Sequence, residues 1–132
     1  MPTNYGKQFE SKLKEDFLKI EDATIDRLYD QVSGNFGSRN ICDYIGYIYP
    51  NIYYLECKSI RGNTFPLSNL TQYEKLLKKV GIKGVRSGVI IWFVEHDKVI
   101  YVPISEIKKM KNDNKKSVNI KMLEEKEYHL ID

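Results

Sequence analysis

The segment Asp43-Tyr44-Ile45-Gly46-Tyr47, followed by Tyr53-Tyr54-Leu55-Glu56-Cys57-Lys58, reads as two consecutive antiparallel strands carrying an aspartate, a glutamate and a lysine. Side chains alternate across a strand, so Glu56 and Lys58 share one face while Leu55 and Cys57 turn to the other. If Asp43, at the head of the first strand, reaches the same spot, two carboxylates can hold a hard cation such as Mg2+ through oxygen ligands. The lysine then lies beside a water on that cation or beside a scissile phosphate, which is the chemistry of a divalent-metal nuclease. Taken alone, Glu-x-Lys reads first as a surface ion pair on a half-exposed sheet, so the assignment rests on its surroundings.

The chain has 132 residues, the size of one ordinary domain, and residues 1–132 are read as a single unit with enough apolar content for a real core. A net charge of +3 neither demands nor excludes nucleic acid, because the local distribution of charge makes a phosphate-binding face. Two cysteines without a signal-like apolar segment near Met1 suggest a reduced, intracellular (cytoplasmic) protein. Cys42 and Cys57 each adjoin a proposed acidic ligand and read as small core residues. His96 and His129 lack the partners of a zinc site. No apolar run approaches a membrane span, so no membrane role is expected.

Elements must position these groups. Phe9, Leu13, Phe17 and Ile20 fall on one stripe of a helix over residues 6–20, with Glu10 at its edge. Residues 24–29 alternate as a first strand, and Ser33 to Asn40 is rich in turn formers. Strands at residues 41–49 and 52–59 follow, separated by the turn signal Pro50-Asn51. Ser68 is placed to cap a second helix burying Leu70, Tyr73, Leu76, Leu77 and Val80, with Gln72, Lys75 and Lys79 on another face. Residues 81–88 read as a basic linker before the apolar run Val89-Ile90-Ile91-Trp92-Phe93-Val94, typical of a central strand. Residues 98–103 return as a strand and 106–111 form a short helix; residues 120–126 suggest a helix and 128–131 an extended end. The fold class expected is α/β (α+β), a central mixed sheet flanked by helices.

In that order of elements Glu10, Asp43, Glu56-x-Lys58 and Gln72 resemble the PD-(D/E)xK nuclease superfamily, whose core is restriction-endonuclease-like. Within it the chain is similar to RecU-type Holliday junction resolvases, through Gly6-Lys7-x-Phe9-Glu10, Asp43-x-x-Gly46 and Phe65-Pro66-Leu67-x-Asn69 ahead of Gln72. Archaeal Holliday junction resolvases are a second relative, through Arg27 and the Ser-Gly loop. The resemblance covers a core of about residues 5–107 and leaves a C-terminal extension, 108–132.

The resemblance implies Asp43 and Glu56 as metal ligands and Lys58 as the group that positions the attacking water and stabilises phosphate charge. It implies Glu10 as a further acidic ligand and Gln72 as a residue orienting the lysine or that water. Ser33 or Ser38 would touch a phosphate, and Arg27, Arg39, Arg61, Lys75 and Lys79 would contact DNA. The implied cofactor is Mg2+, with Mn2+ possible, and the implied partners are branched DNA, a four-way junction, and a second copy in a homodimer. The family's long insertion before the aspartate is replaced here by the short interval 30–42, which bears on selectivity for junctions.

Blander readings stand beside these. Glu10 near Lys7 and Lys14 is also a plain helix surface charge, and Lys75, Lys78, Lys79, Lys83 and Arg86 also serve simply to solubilise the second helix. Tyr44, Tyr47, Tyr49, Tyr53 and Tyr54 are taken as sheet packing. The rival functions are another nuclease of the superfamily acting on duplex or flap DNA, a non-catalytic DNA-binding module of the same fold, or a small protein-interaction domain.

Overall fold

The computed structural model describes residues 5–28 and 42–121. Helix α1 (Tyr5–Leu18) forms where the four-residue spacing demands it, and Phe9, Leu13 and Phe17 are all buried. It stops two residues short of the expected end: Ile20 N bonds Phe17 O in a tightened last turn and Leu18 points to water. Asp22, in the left-handed region at φ 54°, then turns the chain into strand β1 (Ala23–Arg27).

Strands β2 (Tyr44–Ile48) and β3 (Asn51–Ile60) form the expected antiparallel hairpin around Tyr49-Pro50. A short β4 (Thr64–Pro66) and one 3-10 turn (Leu67–Asn69) lead to α2 (Tyr73–Leu77). The chain continues through β5 (Val85–Phe93), β6 (Lys98–Pro103), α3 (Ile104–Asn112) and β7 (Ser117–Asn119). The main sheet runs β1-β2-β3-β5-β6, parallel only between β3 and β5, so it is mixed as expected. Val89 to Phe93 are buried on both faces of β5, which explains their unbroken apolar run.

The sheet divides the interior in two. Phe9, Leu13 and Phe17 of α1 pack on Tyr44, Tyr53, Leu55, Ile90 and Trp92. The opposite face packs Leu76, Val89, Ile91 and Phe93 against Ile104 and Ile107 of α3. Helix α1 seats closely because Gly46 lies under Phe17; a Cβ there would stand 3.0 Å from the Phe17 ring. The other end of α1 is tied to β5, where Tyr5 and Phe9 lie 5.9 and 5.8 Å from the Trp92 ring and Lys12 pairs with Asp97 at 3.3 Å.

Several sequence expectations give way to tertiary packing. The second helix is only five residues long: Leu70 is extended, Ser68 makes no side-chain cap, and Val80 is exposed. Strand β5 begins at Val85, inside the segment expected as a linker, because pairing with β3 from Ile52 onward extends it. Strand β4 and its partner β7 were not anticipated; each is three residues long and alternates too briefly to signal itself. Through them the core continues past residue 107, since Met110, Val118 and Ile120 are buried in it. Of the strand expected at 24–29, β1 spans Ala23–Arg27 and Tyr29 lies outside the described residues, while Tyr47 and Tyr49 are exposed rather than packed. Of the helix expected at 120–126, Ile120 and Lys121 are helical and the rest lies outside the described residues, as does the extended end expected at 128–131. No helix among the described residues is long and apolar enough to cross a membrane.

Candidate active site

Asp43 stands immediately before β2 rather than within it, and three backbone contacts hold it there. Its N–H donates to Leu55 O at 2.9 Å, its carbonyl accepts from Leu28 N–H at 2.8 Å, and its Oδ2 accepts from Cys57 N–H at 2.9 Å. The aspartate thus takes the place of a β2 main-chain group beside β3, at the point where β2 begins. A carboxylate receiving a peptide N–H makes a charge-assisted hydrogen bond, which fixes its rotamer.

Alternation along β3 sends Tyr54 and Ile60 into the α2 and α3 side of the core, and Glu56 and Lys58 follow them. Glu56 is completely buried. Its Oε1 accepts from the Gln72 N–H at 2.9 Å, whereas Oε2 has no hydrogen-bond partner among the described residues and lies 3.8 Å from Lys58 Nζ. Burial pushes the Glu56 carboxyl above its ordinary range; the Gln72 N–H and Lys58 pull it back, and the charge of Asp43 pushes it up again.

Gln72 arrives beside Glu56 because the chain before it is anchored. Phe65 and Leu67 are buried, β4 is paired with β7, and Leu67 N bonds Lys116 O. The contact with Glu56 is made by the Gln72 peptide, a group no sequence pattern marks. The Cys57 peptide holding Asp43 is the second such group.

Glu10 takes a different position. Arg27 donates to its Oε2 at 2.8 Å and Lys14 lies 3.4 Å from Oε1. Partial burial draws its carboxyl up, but these two cations outweigh it and hold it below the ordinary range. Among the described residues no group of three acidic, histidine or cysteine side chains stands ready to hold a metal, so the expected trio of Glu10, Asp43 and Glu56 is not assembled as one cluster.

A cleft of about 250 Å³ opens between α1 and the head of the hairpin, lined by Gly6, Phe9, Arg27, Leu28, Asp43, Tyr44, Cys57 and Ser59. Ser59 belongs to the face of β3 opposite Glu56, and the sequence reading passed over it. Cys42 is a buried core thiol, pushed up to about 11 by burial, whereas Cys57 is only partly buried and lines the cleft. Of the expected DNA contacts, Lys79 lies 5.1 Å over the Tyr54 ring and Arg61 pairs with Glu95 at 3.7 Å on the surface. Lys75 is half-buried on α2. Ser33, Ser38 and Arg39 lie outside the described residues.

The donor chemistry fits a hard divalent cation. Mg2+ is commonly bound by one or two carboxylates and keeps several waters, and Asp43 and Glu56, whose Oε2 has no hydrogen-bond partner among the described residues, are oxygen donors of the kind that would hold it.

Among solved structures, the fold matches that of Archaeoglobus fulgidus Hjc, a Holliday junction resolvase from an archaeal hyperthermophile, at a TM-score of 0.57. The two are 18% identical, over 76% of this chain and 78% of that one, so the likeness is one of fold. It agrees with the restriction-endonuclease-like core, a five-stranded mixed sheet flanked by helices. No curated protein sequence matches the chain. The sequence profile of recombination protein U matches residues 6–131, nearly the whole length, and the chain belongs to the RecU family.

Proposed function

We propose that this chain is a metal-dependent endonuclease that resolves four-way DNA junctions by hydrolysing phosphodiesters at Asp43, Glu56 and Lys58. The observation that carries the reading is Glu56. A fully buried carboxylate with one oxygen lacking a hydrogen bond is costly in a resting protein, and such a group is retained where a cation or reacting group completes it. Membership of a recombination-protein family supports DNA as substrate, and the likeness in fold to a junction resolvase supports the branched form.

Asp43 and Glu56 would hold the cation, Mg2+ or Mn2+, which when bound polarises the phosphate and lowers the pKa of an attacking water. The chain's own residues do the rest. The Cys57 and Gln72 peptides fix the two carboxylates, so their reach does not depend on side-chain freedom. Lys58, one-third exposed, sets a positive charge beside Glu56 where negative charge grows on the phosphate. The Gln72 side chain orients the lysine or the water. Two copies related by a twofold axis would cut opposed strands of one junction, which is the reason to expect a homodimer.

Cleavage of a synthetic four-way junction and of linear duplex, in Mg2+, by wild type and Asp43→Asn tests activity, site and substrate together. Junction cleavage by the wild type alone is expected. Equal cutting of linear duplex would replace the junction reading with that of a general nuclease, and cleavage by the variant would remove the site.

A further inference from the structure

Strand β2 begins at Tyr44, opposite Leu55, while β3 runs on to Ile60. Among the described residues, no strand lies beside residues 56–60 on the Asp43 edge of β3. Leu55 O and Cys57 N both point to this edge, since both bond Asp43. With the strand period of two, the Ser59 N–H points the same way, and its side chain shares the face of Cys57. Ser59 is exposed and lines the cleft with Arg27, Asp43 and the first turn of α1 at Gly6.

A serine hydroxyl, a main-chain N–H and a guanidinium are donors that hold DNA phosphates. The cleft is smaller than a drug-sized pocket and ample for one phosphate group. Its one carboxylate, Asp43, directs Oδ2 to the Cys57 N–H. Arg27 is held at the rim through Glu10, which accepts from Nη1 at 2.8 Å. We propose that this cleft is a subsite for a phosphate flanking the cut, in which Ser59 and Arg27 touch the DNA and Glu10 is a positioning residue for Arg27. The proposal rests on the nuclease reading above, and it moves Glu10 from metal holding to substrate holding.

The test uses a labelled four-way junction, bound in EDTA and cleaved in Mg2+. Ser59→Ala should raise KM about 3- to 10-fold with kcat within about twofold, the size of one hydrogen bond to a charged group. Ser59→Thr should restore it, and Ser59→Asp should weaken binding further. Arg27→Gln should weaken binding about 10-fold and flatten the salt dependence of log K by about one, whereas Ser59→Ala leaves that slope unchanged. Glu10→Gln should weaken binding in the presence of Arg27 and add little to Arg27→Gln, with the Mg2+ midpoint of cleavage unmoved. Thermal melts establish that each variant is folded.

Wild-type KM for both Ser59→Ala and Ser59→Asp, or an unchanged salt slope for Arg27→Gln, would overturn the subsite. A Mg2+ midpoint shifted several-fold by Glu10→Gln would return Glu10 to the metal. Cleavage surviving Asp43→Asn would sink the nuclease site and the subsite together, whereas cleavage lost with Asp43→Asn but indifferent to Ser59→Asp removes the subsite alone.

Discussion

Glu10 and Glu56 are both glutamates near the head of the same hairpin, and the fold treats them in opposite ways. Glu10, on the α1 side, is satisfied by Arg27 and Lys14, and its carboxyl is held below the ordinary range. Glu56, on the α2 side, is sealed from water with the Gln72 N–H on Oε1 and no hydrogen bond to Oε2 among the described residues, and burial pushes its carboxyl up. The first contributes to stability as it stands; the second costs stability, which a cation bound there, on the proposed reading, would offset. Residue type therefore says little about role, and the state of its partners says much.

The sharpest way to break the contrast is to remove charge from the centre. Asp43→Asn is expected to lower junction cleavage by roughly three orders of magnitude or more while leaving junction binding in EDTA largely intact. Gln72→Ala should cost about 10- to 100-fold in cleavage, because it removes the side chain but keeps the N–H that Glu56 accepts. Single-turnover rates measure both.

Stability reads the same contrast from the other side. Glu56→Gln should abolish cleavage yet raise the metal-free melting temperature, by about 4 °C for each ~1 kcal/mol of relieved burial. Because the folded-state value of Glu56 is raised above the ordinary 4.5, the native protein binds the proton more tightly than the unfolded chain. Stability contributed by this group then falls as pH rises through the window above 4.5, and Glu56→Gln removes that slope. Mg2+ at 100 times its Kd should stabilise the wild type by about 2.7 kcal/mol and leave Glu56→Gln nearly unchanged. Calorimetry across pH, with and without Mg2+, checks all three.

Glu10 supplies the smallest effect and the opposite sign. Its folded value is depressed, so its contribution is present above 4.5 and lost as pH falls through the lower folded value. Glu10→Gln should cost about 0.2–1 kcal/mol at neutral pH, and added salt should shrink the difference. A loss of several kcal/mol, insensitive to salt, would mean that the Glu10–Arg27 pair organises far more of the fold than its surface contacts suggest.

The sequence by itself determined what periodicity and burial can encode. The stripe Phe9, Leu13, Phe17 specified α1, the alternation of residues 52–59 specified β3 and its faces, and the unbroken run from Val89 specified the central strand. These patterns are legible because each spans at least two turns or several alternations. Glu56 and Lys58 on one face of β3 followed directly from that period.

Tertiary structure decided the rest. Whether β3 meets β5 in parallel depends on a crossover that leaves no local pattern, and β4 with β7 are too short to announce themselves. Val80, read as buried on a long helix, is exposed because the helix ends at Leu77. The groups that hold Asp43 and Glu56, the Cys57 and Gln72 peptides, are main-chain groups, and the edge of β3 at Ser59 depends on where a neighbouring strand stops. Every residue but proline carries the same N–H, so only the fold determines which of them meets a carboxylate.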